Sequence, residues 1–461
     1  MLGKLFRNFS APAAALPLVD LGPPEELLRA AAPVLSAEEV LERQGEVAQA
    51  ERRLRAALAA DGDNAAATEA LGAFLLRQSR FDEAQALLDE ALRRLPDDGG
   101  LLMVRGHLAQ LSMQVPEAIG YLRLSLAARP GHARTRYHLG TQLLLAGEMR
   151  EAFIHMAVRL ELPGHNAPYW VKSLPRWRGE PLAGKRLLIE VDWGGLGDEV
   201  QFARFIEIVH RDYQPASLQV ACSEGCQRLI ARIPGVDRAF TVAGSVTADY
   251  HIGLMDIPGV YGTELETIPA PARYLSALPG DVAYWGRKLA AAPRAAAQAG
   301  ALKVGLCWAA GFWQGRDGRS AKSIPLPLFG VLESLQGMRF ISLQKGSGRD
   351  ELPCPGVEIE DYSEELEDMG DTAALIENLD VVLTVDTAVA HIAGALGKPV
   401  IMLLMRESGM FWLLEREDSP WYPSMRILRQ KHAREWDEVC ARAAALLGAW
   451  PRRGGAADAL S

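Results

Sequence analysis

The chain has 461 residues, roughly three times a typical domain of about 150, so two or three domains are expected. Hydrophobic residues make up 49% and charged residues 23%, a balance that excludes wholesale disorder. The formal charge of −9 argues against a nucleic-acid coat or a general binder of anionic membranes. Five scattered cysteines (Cys222, Cys226, Cys307, Cys354, Cys440) form no CxxC pair, so neither a disulfide framework nor a zinc site is expected. No apolar run is long enough to span a bilayer, and the expected location is the cytoplasm, with a peripheral place at the inner membrane face as the alternative. Residues 1–35, whose apolar stretch is interrupted by Pro12 and Pro17, read as a flexible leader rather than a secretion signal.

Residues 36–166 read as a repeat array. Gly72, Gly106 and Gly140 are 34 residues apart, as are Ala84, Ala118 and Ala152, each behind a glutamate; Pro96 and Pro130 keep the same interval. Apolar residues between them, such as Phe81, Leu87, Leu88 and Ala91, follow helical spacing. The pattern predicts one helical hairpin per repeat. The small residues allow close helix approach and the proline closes each unit. A weaker earlier copy places Ala50 and Ala57 in the register of Ala84 and Ala91, giving about three and a half repeats. Such an array serves either as a docking platform for a protein partner or as a structural cap on the rest of the chain.

Beyond Pro175 the pattern alternates strand and helix. Aliphatic runs at 186–193, 217–223 and 238–243, and again at 303–310, 338–346, 381–386 and 399–405, are separated by helical stretches. The alternation predicts parallel sheets covered on both faces, arranged as two Rossmann-like domains at 183–290 and 301–449, with a tail at 450–461. Ligands in such sheets bind beyond the carboxyl ends of the strands, so the residues that follow strands are the candidates. Gly194-Gly195-Leu196-Gly197-Asp198 opens a helix after a strand. The dinucleotide fingerprint would need a small residue where Val200 stands, which disfavours NAD. Asp198 is either a helix-terminus charge or a proton acceptor. Asp386-Thr387-Ala388 leads into a small-residue helix carrying His391, a cradle whose free amides suit a diphosphate. Arg316, Arg319 and Lys322 cluster beyond the strand at 303–310, placed for phosphate or simply solvated. The rigid segment Arg416–Pro423 either caps a nucleotide or fixes the domain join.

Together, GLGDEVQFAR, RSAKSIPL, SLQKG, the block DTAALIENLDVVLTVDTAVAHIAGALGKPV and REDSPWYPSMRILRQ resemble glycosyltransferase family 9, the heptosyltransferase-like bacterial enzymes, fused to tetratricopeptide repeats. The resemblance implies a GT-B fold and an inverting, metal-independent sugar transfer from a nucleotide-sugar donor, with no cofactor. It implies Asp198 as catalytic base, Gly194, Gly195 and Gly197 as the acceptor-side loop, and Arg319, Lys322, Lys345, Asp386, Thr387, Ala388 and His391 as donor-binding residues. Ala388 stands where the family carries glycine, so the loop must avoid positive φ there. Ser320-Ala321-Lys322 lacks the family's threonines and Ala309-Ala310-Gly311-Phe312-Trp313 its asparagine-proline, so a heptose donor does not carry over. The expected acceptor is a protein or surface glycan recruited by the repeats. The alternative is an inactive repeat scaffold that keeps the fold.

Overall fold

The computed structural model describes residues 45–162, 173–191, 194–241, 246–293, 295, 298, 300–311, 320–407 and 409–450. The expected leader lies outside the described residues, as do Arg316, Arg319, Phe312, Trp313 and all of the tail but Trp450.

Seven helices open the described chain: α1 (Val47–Ala60), α2 (Ala65–Arg77), α3 (Phe81–Arg94), α4 (Gly99–Leu111), α5 (Val115–Ala128), α6 (Ala133–Ala146) and α7 (Met149–Met156). The period of 34 residues recurs in the helix caps. Asn64, Asp98 and His132 cap α2, α4 and α6, each side chain accepting from a backbone amide that the helix leaves unpaired. The recurring glycines set how closely the helices of a hairpin pack. A Cβ on Gly72 would stand 3.3 Å from Leu88, on Gly106 2.8 Å from Leu122, and on Gly140 3.0 Å from Met156.

The remainder forms two parallel sheets. The first is built from β1 (Arg186–Glu190), β2 (Ser217–Ala221), β3 (Arg238–Phe240) and β4 (Tyr250–Gly253), in the order β3-β2-β1-β4. The helices α8 (Leu196–Phe202) and α9 (Arg204–Tyr213) follow β1. Another helix, α10 (Pro279–Ala291), leads to the second sheet. That sheet holds β5 (Leu302–Cys307), β6 (Met338–Ser342), β7 (Ile359–Asp361), β8 (Val381–Val385), β9 (Val400–Leu404) and β10 (Met425–Arg429). Helices α11 (Met369–Glu377), α12 (Ala388–Ala395) and α13 (Asp437–Gly448) accompany it. Its order, β10-β9-β8-β5-β6-β7, is that of a doubly wound dinucleotide-type fold, with the direction of winding reversing between β5 and β8. β8 and β9 are buried along their whole length, as strands covered on both faces must be. The architecture is a helical repeat array followed by the GT-B arrangement of two Rossmann-like lobes.

Two segments depart from the expected boundaries. Residues 175–177 extend the first sheet at β4: Trp177 donates its amide to the His251 carbonyl and is fully buried. The helix α10, which the strand–helix alternation assigns to the first lobe, packs on the second. There Trp285 meets Tyr362 edge-on at 5.9 Å, and Asn378 donates to the Val282 carbonyl at 2.9 Å.

The repeats are not a separate body. One apolar core runs from Val115 and Phe153 through both lobes to Trp421. Phe202, at the end of α8, is its meeting point. It packs on Phe153 from the repeats (6.2 Å), Phe205 from the first lobe (6.4 Å), and Phe411 (5.2 Å) and Trp421 (5.5 Å) from the second. Buried Arg159 reinforces the seam by pairing with Asp256 at 2.5 Å. Truncating Phe202 to alanine leaves a cavity shared by three units, with an expected loss of about 3–5 kcal/mol in urea denaturation. Leu124→Ala, at a side chain 56% exposed, is expected to change stability by less than about 0.5 kcal/mol.

Candidate active site

The two candidate motifs meet. Gly194 holds φ +88°, and a Cβ there would collide with the Asp198 carboxylate at 2.4 Å. That turn lets Asp198 fold back and accept from the Gly195 amide at 2.8 Å, which satisfies one unpaired donor of α8. One residue before Asp198, Gly197 rests on the imidazole of His391 in α12, where a Cβ would stand 2.8 Å from Cδ2. The absent side chain thus lets the glycine-loop helix of the first lobe lie directly against the Thr387–His391 helix of the second.

Around that contact lies a charged group. Lys322 Nζ pairs with Asp386 Oδ2 at 2.6 Å, and His391 Nε2 stands 4.0 Å from Asp386 Oδ1. Asp198 is partly buried, and loss of water raises the proton affinity of its carboxyl. The charge of Asp386 adds to this, while the Gly195 amide and Lys322 oppose it. The aspartate of one lobe therefore feels the ion pair of the other. His391 is buried and its pKa is pushed down to about 4 by burial, against the pull of Asp386, so the ring is neutral at pH 7.

Local structure explains how each part is aimed. Asp386 follows β8 at the point where strand order reverses. Thr387 caps α12 from an extended backbone and leaves the helix amides without a side-chain partner; its hydroxyl instead lies 3.3 Å from that of Thr384. Ala388 is the first residue of α12 and avoids positive φ, as its Cβ requires. Next to Lys322, the Ser323 hydroxyl accepts from the Ala310 amide at 3.0 Å, and the Lys322 amide donates to the Ser320 hydroxyl at 3.3 Å. The end of β5 is shaped by Gln344, whose Oε1 accepts from the amides of Trp308 (3.0 Å) and Ala309 (2.8 Å).

Not every expected residue joins this group. Lys345 turns away and gives its ammonium to the carbonyls of Leu366 and Glu367, so in the SLQKG segment it is Gln344 that serves the strand end. Arg319 lies outside the described residues. Gly195 faces open space, unlike its two neighbouring glycines. The rigid segment around Trp421 fixes the join of the lobes: buried Arg204 of α9 donates to the carbonyls of Trp421 (2.5 Å) and Pro269 (3.0 Å) and to the Tyr274 hydroxyl (3.1 Å). Arg204, Tyr274 and Gln344 have no local sequence signal, because the contacts by which they join separate elements reach residues 35 to 217 positions away. Glu199, next to Asp198, is also buried. It accepts from the Ser223 hydroxyl at 2.5 Å, and burial pushes its pKa up to about 7. Among the described residues, no group of His, Cys, Asp and Glu is arranged to hold a metal ion.

Two measurements check this geometry. Gly197→Ala is expected to lower the thermal midpoint clearly, because the new methyl meets a buried ring, whereas Gly195→Ala, with no atom within 4 Å, is expected to leave it unchanged. Glu199 binds its proton more tightly folded than unfolded, so its contribution to stability is greatest below about pH 4.5 and falls as pH rises to about 7. In urea titrations the wild type should lose stability relative to Glu199→Gln across that interval, by an amount on the order of 3 kcal/mol. A pH-independent difference would contradict the assignment.

Comparison with known proteins finds matches in both parts of the chain. Residues 41–108 match the tetratricopeptide repeat family, and residues 367–442 match glycosyltransferase family 9 (heptosyltransferase). The chain is 28% identical over 426 residues to Protein FlbA of Caulobacter vibrioides, covering 86% of this chain and 69% of that one. Among solved structures, the glycosyl transferase family 9 protein of Veillonella parvula is 11% identical, with a TM-score of 0.41 over 55% of this chain and 88% of that one. The ADP-heptose LPS heptosyltransferase II of E. coli is 14% identical, with a TM-score of 0.41 over 57% of this chain and all of that one. The chain thus matches the tetratricopeptide repeat family in its first part and glycosyltransferase family 9 over residues 367–442, the combination its motifs resemble.

Proposed function

We propose that this glycosyltransferase transfers a sugar from a nucleotide-sugar donor with inversion, without a metal ion, onto a protein or surface-glycan acceptor recruited through the repeats. The observation that carries the reading is the contact between α8 and α12, which sets Asp198 opposite Lys322, Asp386 and His391. In the proposed step Asp198 takes the proton of an acceptor hydroxyl. The hydroxyl oxygen forms a bond to the anomeric carbon from the face opposite the nucleoside diphosphate. The bond from that carbon to the phosphate oxygen breaks, and the oxygen leaves with the electron pair. A carboxyl whose proton affinity is raised by burial is a better base than an exposed one. The departing charge is met by Lys322, by the Thr387 hydroxyl, by the open amides of α12 and by Arg319. Lys322 is already held by Asp386, which keeps its ammonium at the strand end rather than in solvent.

The repeats are proposed to bind the acceptor or a protein partner. Their last hairpin is fixed to the lobes at Phe153, so a partner bound along the array is held at a set distance from the cleft. No helix among the described residues is long and apolar enough to cross a membrane.

The test is a thermal-shift panel of nucleoside diphosphates and their sugars, followed by transfer assays. At least one nucleotide should stabilise the wild type. Asp198→Asn should keep that shift and lose transfer by about 10²–10⁴-fold, whereas Lys322→Ala should weaken the shift itself. Full turnover in Asp198→Asn would remove it as the base, and no shift with any nucleotide would favour the inactive scaffold.

A further inference from the structure

His391 Nδ1 lies 2.8 Å from the hydroxyl of Tyr422, and both side chains are buried. A neutral imidazole carries its proton on one nitrogen only, and the partner of each nitrogen decides which. The surroundings of this pair fix the choice from both ends. At the far end, the Tyr274 oxygen accepts from Arg204 Nη2 at 3.1 Å, and its one proton points to the Val200 carbonyl at 2.9 Å or to the Tyr422 oxygen at 3.4 Å. In neither case is the Tyr422 proton needed there. The guanidinium of Arg204 stands 4.7 Å from the Tyr422 ring centre, and a cation beside a phenol makes it the better donor. At the near end, Nε2 stands 4.0 Å from a carboxylate oxygen of Asp386. A lone pair on Nε2 would face that negative charge, whereas an N–H would be attracted to it.

We infer that Tyr422 is a positioning residue: its hydroxyl donates to His391 Nδ1 and so holds the ring as the Nε2–H tautomer, an N–H donor on the side where Lys322 and Asp386 stand. His391 is then not a base. Burial keeps the ring neutral, with Lys322 and Arg204 adding to that and Asp386 opposing it. On the reading of the site given above, this N–H is one more donor for the departing phosphate. It also ties the clamp between the lobes to the site, because Arg204, Tyr274, Tyr422 and His391 form one line of contacts. Tyr422 is seated against Gly394, where a Cβ would stand 2.4 Å from its ring, so the ring position does not depend on the hydroxyl.

The test is ¹⁵N NMR of the histidine ring nitrogens in the full chain, with His391 assigned by its absence in His391→Gln. The expected wild-type result between pH 5 and 8 is a single tautomer, with Nδ1 unprotonated and Nε2 protonated. In Tyr422→Phe, which keeps the ring in its seat, the single tautomer should give way to a mixture. A wild-type ring protonated at Nδ1, or one that becomes doubly protonated within that range, overturns the inference, as does an unchanged single tautomer in folded Tyr422→Phe. Should that variant fail to fold, the wild-type spectrum alone decides. The tautomer is read without substrate, so its failure is distinct from a failure of the nucleotide panel to bind.

Discussion

The contact between Gly197 and His391 is the constraint on which the rest depends. Two helices from different lobes approach so closely that a single methyl group on one would collide with a buried ring on the other. Everything chemical about the cleft follows from that approach. It brings a partly desolvated carboxyl to bear on a lysine–aspartate pair, and it buries an imidazole so thoroughly that the ring stays uncharged. A looser packing would admit water, return Asp198 to ordinary carboxylate behaviour and let His391 titrate near neutrality.

The scaffold around this contact is unusually dependent on groups from far apart in the chain. Phe202 gathers aromatic rings from the repeats and from both lobes. Arg204, two residues later, is buried and is held by carbonyls, a hydroxyl and three aromatic faces. A buried cation is costly unless its donors are satisfied, so this one locks the lobes only while every partner is in place. The repeats share in that lock because Phe153 completes the cluster.

Much of this was legible in the sequence, and the reasons are specific. The interval of 34 residues survives because each hairpin repeats the same close approach, so glycine and alanine recur where a larger side chain would strike its neighbour. The strands β5, β6, β8 and β9 announce themselves as aliphatic runs because they are covered on both faces. Asp198, Asp386 and His391 could be singled out because they follow strands beside glycines or small residues. What stayed hidden is pairing across distance. The short strands β7 and β10 are partly exposed and carry charges, so periodicity does not mark them. The role of Gln344 over its neighbour Lys345 depends on which side chain turns toward β5. Tyr422 sits in a segment that reads only as rigid, and its partner His391 is 31 residues away. The glycines of the loop look alike in sequence, yet Gly194 makes room for Asp198, Gly197 makes room for His391, and Gly195 faces nothing.

The central claim is that an acid of one lobe stands within electrostatic reach of the ion pair of the other. It is tested most directly by the pKa of the Asp198 carboxyl, followed by ¹³C NMR of labelled aspartate in the wild type and in Lys322→Met. Removing the lysine takes away a charge that favours the ionised acid and leaves Asp386 uncompensated, so the Asp198 pKa, already raised in the wild type, should rise further. An Asp198 that titrates as an ordinary exposed carboxylate in the wild type and is unmoved by the substitution would contradict the account.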